Sequence, residues 1–331
     1  MERRLLFATA IGLACFGLLN QAQVEAADPI TIRVVTPFPV GHVLADTAFK
    51  FKQQVEFKTK GKIVVNVATS VLTEQTIGAQ MTACNANGRV GDVLITGGQP
   101  IQDWAPQYFF FNGPYVIVDY DHFRRVWFSH LGDELRVLLG QNGNQVALGT
   151  VYRGFRQFTS NEPINGPADF VGLKLRLPGV PDWIAVWSSL GVIPVTVPLG
   201  GIYEALRTGA ADASEGDLTQ ILALRLYEVQ TYLSLTNHLV GFGMATANAC
   251  FMNGLGTGDR NTVVHEMQSA TGWGTDQMIS REASLLSELQ GRGMITVTPD
   301  AAAIRGAAEP AINNLFTTTW TVTTWAEVLS L

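Results

Sequence analysis

The sequence predicts an α/β fold with two lobes that are joined by strands crossing from one lobe to the other. The first observation is the order strand, helix, strand within residues 30–69, which favours a sheet with helices on its faces. The second is a new run of alternating strands and helices that begins near residue 150, with a return near residue 240. Such a fold has a central cleft, because ligands bind at the carboxyl ends of its strands.

The length and composition suit this fold. The 331 residues suffice for two packed cores, and 47% apolar with 15% charged residues exclude a disordered chain. The net charge of −6, without a basic tract, excludes a nucleic-acid partner. An anionic small ligand is not excluded, because one buried arginine can dominate the charge of a local site.

The first half of the chain alternates strands and helices. Strands follow from β-branched alternation, and helices follow from helical spacing that stops at glycine. The elements in chain order are strand 30–37, helix 42–61, strand 62–69, helix 73–88 and strand 91–98.

An aromatic stretch and a long helix complete the first half. Residues 104–123 have the aromatic density of a core wall or a binding cleft, and core packing is the simpler interpretation. Residues 121–143 predict one long amphipathic helix that ends at a glycine. Asp119 and Asp121 could imitate a pair of catalytic carboxylates, but we interpret them as caps of that helix.

The second half has shorter elements and a helical end. The residues from 260 onward are mostly helical by periodicity, apart from a strand-like segment at 294–299. Between residues 146 and 259 the pattern predicts, in order, strand 146–161, strand 172–178, helix 181–191, strand 193–199, helix 201–209, a helix passing into a strand over 219–238, and strand 243–253.

The N-terminus predicts a signal peptide over residues 1–26. Arg3 and Arg4 provide a basic start, residues 5–19 form an apolar run of suitable length, and small residues precede a cleavage site near Ala26. The apolar run is too short and wrongly flanked for a membrane span, although a retained anchor is the alternative. Cys15 raises the further alternative of a lipoprotein. The mature protein is expected to be exported and soluble.

Two cysteines remain after removal of the signal peptide. Cys84 and Cys250 lie far apart in the sequence, and an oxidising compartment permits a disulfide between them without requiring it. Free buried thiols are the alternative, and the sequence leaves both open.

Signatures of catalysis and of metal or cofactor binding are missing from the sequence. It has no GxSxG, P-loop, HExxH or GxGxxG motif, and its five histidines lack the spacing of metal ligands. Glu215 and Asp217 lie two residues apart in a predicted turn, where solvated carboxylates or a hydrogen bond between the lobes explain them better than acid–base catalysis. We therefore expect no cofactor and no metal, and binding rather than catalysis.

The stretch GLKLRLPG at residues 172–179 contains the candidate for binding. Leu173, Leu175 and Leu177 alternate to one face of a strand, whereas Lys174 and Arg176 point to the other. An exposed cation in contact with water is the ordinary interpretation of Arg176. The alternative is a guanidinium that binds an anion.

The middle of the chain resembles a known family. The residues that carry the resemblance are Arg156, the GLKLRLP segment at 172–178, the pattern Y-x-AL-x-TG-x-x-D at 203–212 and YEVQTYLSLT at 227–236. These resemble the extracytoplasmic solute-binding proteins of tripartite ATP-independent periplasmic (TRAP) transporters, of the dicarboxylate-binding type. The resemblance covers most of residues 30–255 and is most specific in the middle third.

The resemblance implies a two-lobed periplasmic solute-binding protein fold, with crossover hinge strands and a central ligand cleft. A protein of this family closes around a small organic-acid ligand in the periplasm and delivers it to the TRAP membrane permease subunits. By resemblance, Arg176 forms a bidentate salt bridge with the ligand carboxylate and Arg156 supports it. A planar guanidinium matches a carboxylate and keeps its charge at any relevant pH.

Departures from the family pattern concern the ligand. Many relatives carry Gln-Glu-Asn where this chain has Ser-Glu-Gly at 214–216, so only the backbone of Gly216 can act there. Leu199 occupies a position that is often aromatic in sialate-binding relatives, which argues against that sugar acid. Phe38 and Thr96 are the candidates from the first lobe, with ordinary packing as the alternative for both.

We expect lobe I to contain residues 28–151 and 242–280, and lobe II to contain residues 152–241 and 281–331. The expected protein is a monomeric receptor that is not an enzyme. A secreted α/β enzyme acting on small carboxylates is the alternative from another class, and a receptor coupled to a sensor is a third possibility.

Overall fold

Three parallel strands form the sheet of the first lobe, and one helix connects two of them. The computed structural model describes residues 28–71, 73 and 77–331, so the predicted signal peptide lies outside the described residues. Strand β1 (Ile30–Val35) pairs in parallel with β2 (Ile63–Ala68) and β3 (Val93–Thr96). Helix α1 (Val43–Lys58) connects β1 to β2, which confirms the predicted strand, helix, strand unit.

Two long antiparallel strands cross between the lobes. These are β4 (Gln145–Ser160) and β8 (Tyr232–Asn248), and β8 also pairs with β3. Their pairing is irregular in the middle, where the register shifts between Tyr152 and Gly154 and again after Arg156. Gly154 has a φ of +81°, a conformation that glycine adopts without steric cost.

Short strands form the sheet of the second lobe. They are β5 (Lys174–Leu177), β6 (Ile193–Thr196), β7 (Ala213–Gly216) and β9 (Ile295–Val297). Strands β6 and β7 pair in parallel with β5, and β7 pairs with β4. The described strands therefore form one continuous path in the order β2-β1-β3-β8-β4-β7-β5-β6, with β9 on β8.

The helices cover the faces of this sheet. None of the helices in the described part of the chain combines the length and apolar character of a membrane span. After α1, the helices in chain order are α2 (Ile77–Met81), α3 (Gln99–Trp104), α4 (Tyr120–Trp127), α5 (His130–Gly143), α6 (Pro181–Ser188), α7 (Ile202–Arg207), α8 (Leu218–Ala223), α9 (Ala249–Gly254), α10 (Thr257–Gly291), α11 (Ala301–Thr318) and α12 (Trp325–Ser330).

The prediction of one helix over residues 121–143 is wrong, because α4 and α5 are separate helices. The Ser129 hydroxyl accepts a hydrogen bond from the Leu131 backbone amide and so begins a new helix at that point. The prediction that Asp119 caps α4 is confirmed, since its carboxylate accepts from the backbone amide of His122 at 2.7 Å. The apolar periodicity of the sequence continues across the break between α4 and α5, because each of these helices buries one apolar face.

Two further element predictions need correction. The helix predicted over residues 73–88 is reduced to α2, and residues 74–76 lie outside the described residues. The strand predicted over 243–253 ends at Asn248, whose side chain accepts from the backbone amide of Phe251 and so caps α9. At Asn248 a side-chain hydrogen bond, not the hydropathy pattern, determines where the strand ends.

The aromatic stretch packs into the core, as predicted. Phe109, Phe110 and Phe111 are buried, and the Phe111 ring meets the edge of Phe123 at a centroid distance of 6.3 Å. These rings fill the space beneath the crossing strands, where Phe123 also packs against Phe242 at 4.6 Å.

A disulfide links Cys84 to Cys250, and this resolves the alternative that the sequence left open. The bond spans a sequence separation of 166 residues. It fastens the segment before β3 to helix α9, next to Asn144, whose side-chain amide lies 3.4 Å from both sulfurs. A covalent link over so long a loop restricts the unfolded chain strongly.

The C-terminal segment contacts both lobes. Trp320 donates from its indole nitrogen to Asp182 on α6 at 2.8 Å, whereas α12 packs on α4, with His122 Nε2 2.8 Å from the Val328 carbonyl oxygen. Arg125 also donates to the carbonyl oxygen of Leu331 at 2.7 Å. Helix α12 is thus attached to the first lobe, within the range that the sequence prediction gave to lobe II.

Candidate functional site

The carboxyl ends of the strands from both lobes face a common cleft. Strands β1 and β3 end there in the first lobe, and β5, β6 and β7 end there in the second. The mouth of the cleft is a cavity of about 460 Å³. It is lined by residues of both lobes, among them Pro37, Pro39 and Ser70 from the first and Leu199, Gly201 and Leu224 from the second.

Arg176 is buried in the second lobe, beside this cleft. Its side chain is among the largest of those fully buried, and the residue is only 1% exposed. The Nε atom donates to the carbonyl oxygen of Val197 at 2.7 Å, which fixes the plane of the guanidinium. In the parallel register of β5 and β7, Arg176 lies opposite Ser214. An exposed strand cation is therefore the wrong interpretation of Arg176.

Arg156 forms a buried bidentate ion pair with Glu215. The Nε and Nη2 atoms of Arg156 lie 2.5 and 2.7 Å from the two carboxylate oxygens. The guanidinium also stacks over the Trp183 ring at 5.1 Å. Burial opposes the ionisation of Glu215, but Arg156 and His238 outweigh it and hold the pKa of that carboxyl well below its usual range. Arg156 is thus a charged, satisfied member of the crossing strand.

Arg153 forms a second buried pair, with Asp217, which reaches His42 of the first lobe. The Nη2 atom of Arg153 lies 2.7 Å from Asp217 Oδ2 and 3.3 Å from His42 Nε2. His42 Nε2 lies 3.6 Å from the same carboxylate oxygen. Burial opposes the ionisation of Asp217, yet Arg153 and His42 keep its pKa well below the usual range. The group therefore joins the first lobe, the crossing strand and the second lobe.

The sequence did not predict the group formed by Arg153, Asp217 and His42, and it suggested a solvated position for Asp217. Of the two interpretations for Glu215 and Asp217, the solvated turn is wrong because both residues are buried. Asp217 does approach the first lobe, but its carboxylate lies 3.6 Å from His42 Nε2 and its short hydrogen bond is to Arg153. One sequence signal was available. Two arginines lie three residues apart on one predicted strand, and two acids lie two residues apart in a short segment further along the chain. Two buried cations require two buried anions.

Phe38 belongs to the Arg153 group rather than to an open wall. Its ring stacks on His42 at a centroid distance of 4.0 Å and lies beneath the Arg153 guanidinium at 4.6 Å. Phe38 is 1% exposed, between the two prolines at the mouth of the cleft. The structure therefore shows a packing role for Phe38, while a ligand contact stays a prediction.

Thr96 ends β3 in the first lobe, and Leu199 follows β6 in the second. Thr96 is the last residue of β3 and fully buried, and its hydroxyl oxygen has no hydrogen-bond partner among the described residues. Leu199 is 4% exposed and contributes to the lining of the mouth. A buried hydroxyl without a partner is costly, so Thr96 is the first-lobe candidate with the clearer physical support.

Gly216 ends β7, and the space beside it is filled. A Cβ atom at this position would lie 2.4 Å from Nε2 of Gln220. The side-chain amide of Gln220 thus occupies the place of a residue-216 side chain. Leu199 lines the mouth of the cleft, and Arg176 and Gly216 lie on the neighbouring strands β5 and β7 of the second lobe, whereas Phe38 and Thr96 belong to the first.

The described part of the chain contains no candidate metal site. No three histidine, cysteine, aspartate or glutamate side chains in that part of the chain converge to hold an ion. The histidines that are buried near the cleft each face a carboxylate and an arginine. Their ring nitrogens are thus engaged in the two ion-pair groups.

Two lobes, two crossing strands and buried arginines beside an interlobe cleft define the class of two-lobed solute-binding proteins. Within that class, the model of the family described as bacterial extracellular solute-binding protein, family 7, matches residues 35–319. The chain belongs to this family. It is a solute-binding protein of the TRAP type, as the resemblance predicted.

Similar curated proteins extend over most of the chain. The sialic acid-binding periplasmic protein SiaP of Vibrio cholerae is 30% identical over 304 residues, which cover 91% of this chain and 92% of that protein. A solute-binding protein of Roseobacter denitrificans is 28% identical over 267 residues, 80% of each chain.

Solved structures have the same fold. A TRAP periplasmic solute-binding protein from Roseobacter denitrificans, with bound L-galactonate, superposes with a TM-score of 0.80 at 26% identity and covers 86% of this chain and 94% of its own. A TRAP protein from Shewanella oneidensis with bound succinate has a TM-score of 0.82 at 21% identity, over 91% of this chain and 97% of its own. The second likeness concerns the fold alone.

Proposed function

We propose that this protein captures a small organic anion in the interlobe cleft and delivers it to the membrane permease of a TRAP transporter. The observation that carries the proposal is the buried Arg176 beside the cleft, with its Nε atom anchored on the Val197 carbonyl oxygen. A buried, planar guanidinium at the edge of a cleft matches a carboxylate in both charge and shape, and so offers it a binding place. In the proposed complex the ligand carboxylate takes that place.

The anchoring of Arg176 favours bidentate binding. With Nε held by a backbone carbonyl, the two terminal nitrogens of the guanidinium lie on the opposite edge and match the two oxygens of a carboxylate. The surroundings are dry, so that the attraction between the two charges is stronger than in water. Closure of the lobes would remove the remaining water from the pair.

Arg156 and Arg153 support the site through the crossing strand. Each arginine is neutralised by its own carboxylate, and the Arg153 group includes His42 of the first lobe. We propose that these pairs hold the crossing strands and the closed arrangement of the lobes. A direct contact between Arg156 and the ligand stays a prediction from the family resemblance.

The ligands named for similar proteins share one chemical group. SiaP is named for sialic acid, another relative for 2,3-diketo-L-gulonate, and two further relatives for C4-dicarboxylates. All of these ligands carry a carboxylate, the group that Arg176 is suited to bind. Leu199 still argues against sialic acid for this chain, and a ligand screen that includes sialic acid tests that prediction.

The location and the movement of the protein belong to the same proposal. Residues 1–26 would direct export to the periplasm, where the protein acts as a monomer and without a nucleic-acid partner. The lobes, assigned as 28–151 with 242–280 and 152–241 with 281–331, would close about the irregular pairing near Gly154. The contacts of α12 favour moving residues 325–330 to the first lobe.

The test of the carboxylate site is the variant Arg176→Ala, with Arg176→Lys as a second variant that keeps the charge. Loss of a desolvated bidentate pair costs about 2–5 kcal/mol of binding free energy, so the affinity for the best organic acid should fall at least about thirtyfold. Calorimetric titration measures the affinity, and circular dichroism checks the fold. Lys174→Ala is the matched control, since Lys174 is on the same strand face and pairs with Asp212.

Retained affinity in Arg176→Ala would refute the assigned role of Arg176. The alternative of a secreted enzyme is tested in the same experiment. After long incubation with the protein, mass spectrometry should recover the bound acid unchanged; consumption of the acid would instead favour the enzyme.

A further inference from the structure

The amide of Gln220 takes the place that a side chain at position 216 would occupy. The Cβ position of Gly216 is 2.4 Å from Gln220 Nε2 and 2.8 Å from Gln220 Cδ, so the amide lies directly over the glycine. Gln220 is in the first turn of α8 and is 2% exposed. The glycine thus creates room for a side chain that arrives from the neighbouring helix.

This amide is on the same side of the second lobe as Arg176. Arg176 and Ser214 are opposite one another in the parallel register of β5 and β7. Gly216 follows two residues later on the same face of β7, because alternate residues of a strand share a face. Gln220 and Leu224 are one helical turn apart, and Leu224 lines the mouth of the cleft. Gln220, which packs over Gly216, is therefore on the same face of the second-lobe sheet as Arg176.

The orientation of the amide is determined by its neighbours. Gln220 Nε2 is 3.2 Å from the carbonyl oxygen of Glu215, and a carbonyl oxygen only accepts, so the amide nitrogen must be the atom beside it. The backbone amide of Gln220 donates to Asp217 Oδ1 at 2.9 Å, which fixes the start of α8. The carbonyl oxygen of the Gln220 side chain is then the acceptor that remains for a ligand.

We propose that the Gln220 carboxamide determines ligand specificity by accepting a hydrogen bond from a ligand hydroxyl, so that the protein selects hydroxy acids over their unsubstituted counterparts. The inference rests on the proposed carboxylate site at Arg176. Ser214 Oγ supports it, since Ser214 pairs with Arg176 across the sheet and its hydroxyl is buried without a hydrogen-bond partner among the described residues. The Gln220 oxygen can only accept, and an ionised dicarboxylate without hydroxyls offers no donor.

The rejection of an unsubstituted acid has a physical cause. A site with buried acceptors leaves them unpaired when the ligand lacks hydroxyls, and the lost hydrogen bonds reduce affinity more than lost packing does. The same argument explains why a glycine at 216 is compatible with a polar site. Gln220 supplies the amide from helix α8.

The experiment compares matched acids on the purified mature protein. Calorimetric titrations use malate against succinate, D-erythronate against butanoate and L-galactonate against hexanoate. Two variants remove the Gln220 amide in different ways. Gln220→Met deletes it at nearly constant shape, and Gly216→Ala displaces the flexible end of Gln220 by adding a Cβ. Gly306→Ala on α11 is the control, because its Cβ would meet nothing within 4 Å.

The wild-type protein should prefer the hydroxylated member of the pair that it binds best, and both variants should reduce that preference about tenfold. Agreement between two variants at different positions excludes a folding artefact. Equal affinity of wild type for both members, or an unchanged preference in Gln220→Met, would overturn the role of Gln220 and leave the carboxylate site standing. If wild type binds none of these acids, the proposed function itself fails.

Discussion

His42 makes the stability of the ligand-free protein depend on pH. It is wholly buried at the start of α1, where its Nδ1 atom accepts from the backbone amide of Leu44 at 3.1 Å and its Nε2 atom faces Asp217 and Arg153. Burial lowers the pKa of His42 from 6.5 to about 4; Asp217 opposes this shift, and the charges of Arg153 and Arg156 add to it. The folded protein therefore keeps this imidazole neutral.

The sign and the size of the effect follow from proton linkage. Below pH 6.5 the unfolded chain binds a proton at this histidine that the folded protein does not bind, so the free energy of unfolding falls as the pH falls. Between the two pKa values each pH unit costs about 1.4 kcal/mol. The interval from pH 6.5 to about pH 5 therefore removes about 2 kcal/mol, before the carboxylates contribute.

The matched variant is His42→Asn, which removes the titrating ring and keeps an acceptor at the N-cap. Urea titrations followed by tryptophan fluorescence, at pH values from about 7.5 to about 5, give the free energy of unfolding of each protein. Over this pH interval the free energy of unfolding of the variant should fall by about 2 kcal/mol less than that of the wild type, whatever the stability of the variant at neutral pH. His238, whose pKa burial also lowers, supplies a remaining slope in both proteins.

His265→Asn is the control, because the side chain of His265 is 75% exposed on α10. The slope of this variant measures what a histidine-to-asparagine change at the surface contributes, and the slope of His42→Asn is compared with it. An unchanged slope in His42→Asn would refute the reasoning, since it would mean that His42 is not kept neutral by the fold. The titrations stay above about pH 5, where Glu215 and Asp217 do not change the slope. Because their pKa values are lowered in the folded protein, their contribution to stability is lost only at more acidic pH.

Two further changes test the buried pairs and the disulfide. Glu215→Ala removes the carboxylate from Arg156 and should lower the free energy of unfolding by about 3–5 kcal/mol in urea titrations. Adding Arg156→Met should recover much of that loss, and no recovery would contradict the pairing. Replacing Cys84 and Cys250 by serine should lower the free energy of unfolding by about 2–5 kcal/mol. A wild-type urea midpoint that reduction with dithiothreitol leaves unchanged would contradict this estimate.

Much of the fold could be predicted because strands and helices have local signatures. The strand, helix, strand unit over residues 30–69 shows β-branched alternation followed by helical spacing, and the structure confirms it. Helix breaks were less predictable. The hydroxyl of Ser129 begins α5 within a stretch whose apolar periodicity continues, and Asn248 begins α9 within a strand-like pattern. Hydrogen bonds of single side chains decided these boundaries.

The candidate site was only partly predictable. Arg176 was identified from the family resemblance, whereas strand alternation alone favoured a solvated cation. In the structure β5 lies between β6 and β7, and Leu175, Arg176 and Leu177, which alternate between its two faces, are all buried. The sequence showed that position 216 lacks a side chain. The amide that fills this space comes from Gln220, four residues later, and no sequence pattern predicts that placement.

By itself, the sequence determined the α/β class, the order of most elements and the family, because each depends on local patterns or motifs. Only the tertiary structure decided which charges meet. His42, Arg153 and Asp217 come from three distant segments, and they form one buried group because two lobes and a crossing strand converge on them. Burial then sets their pKa values, and burial is a property of the assembled fold rather than of any segment.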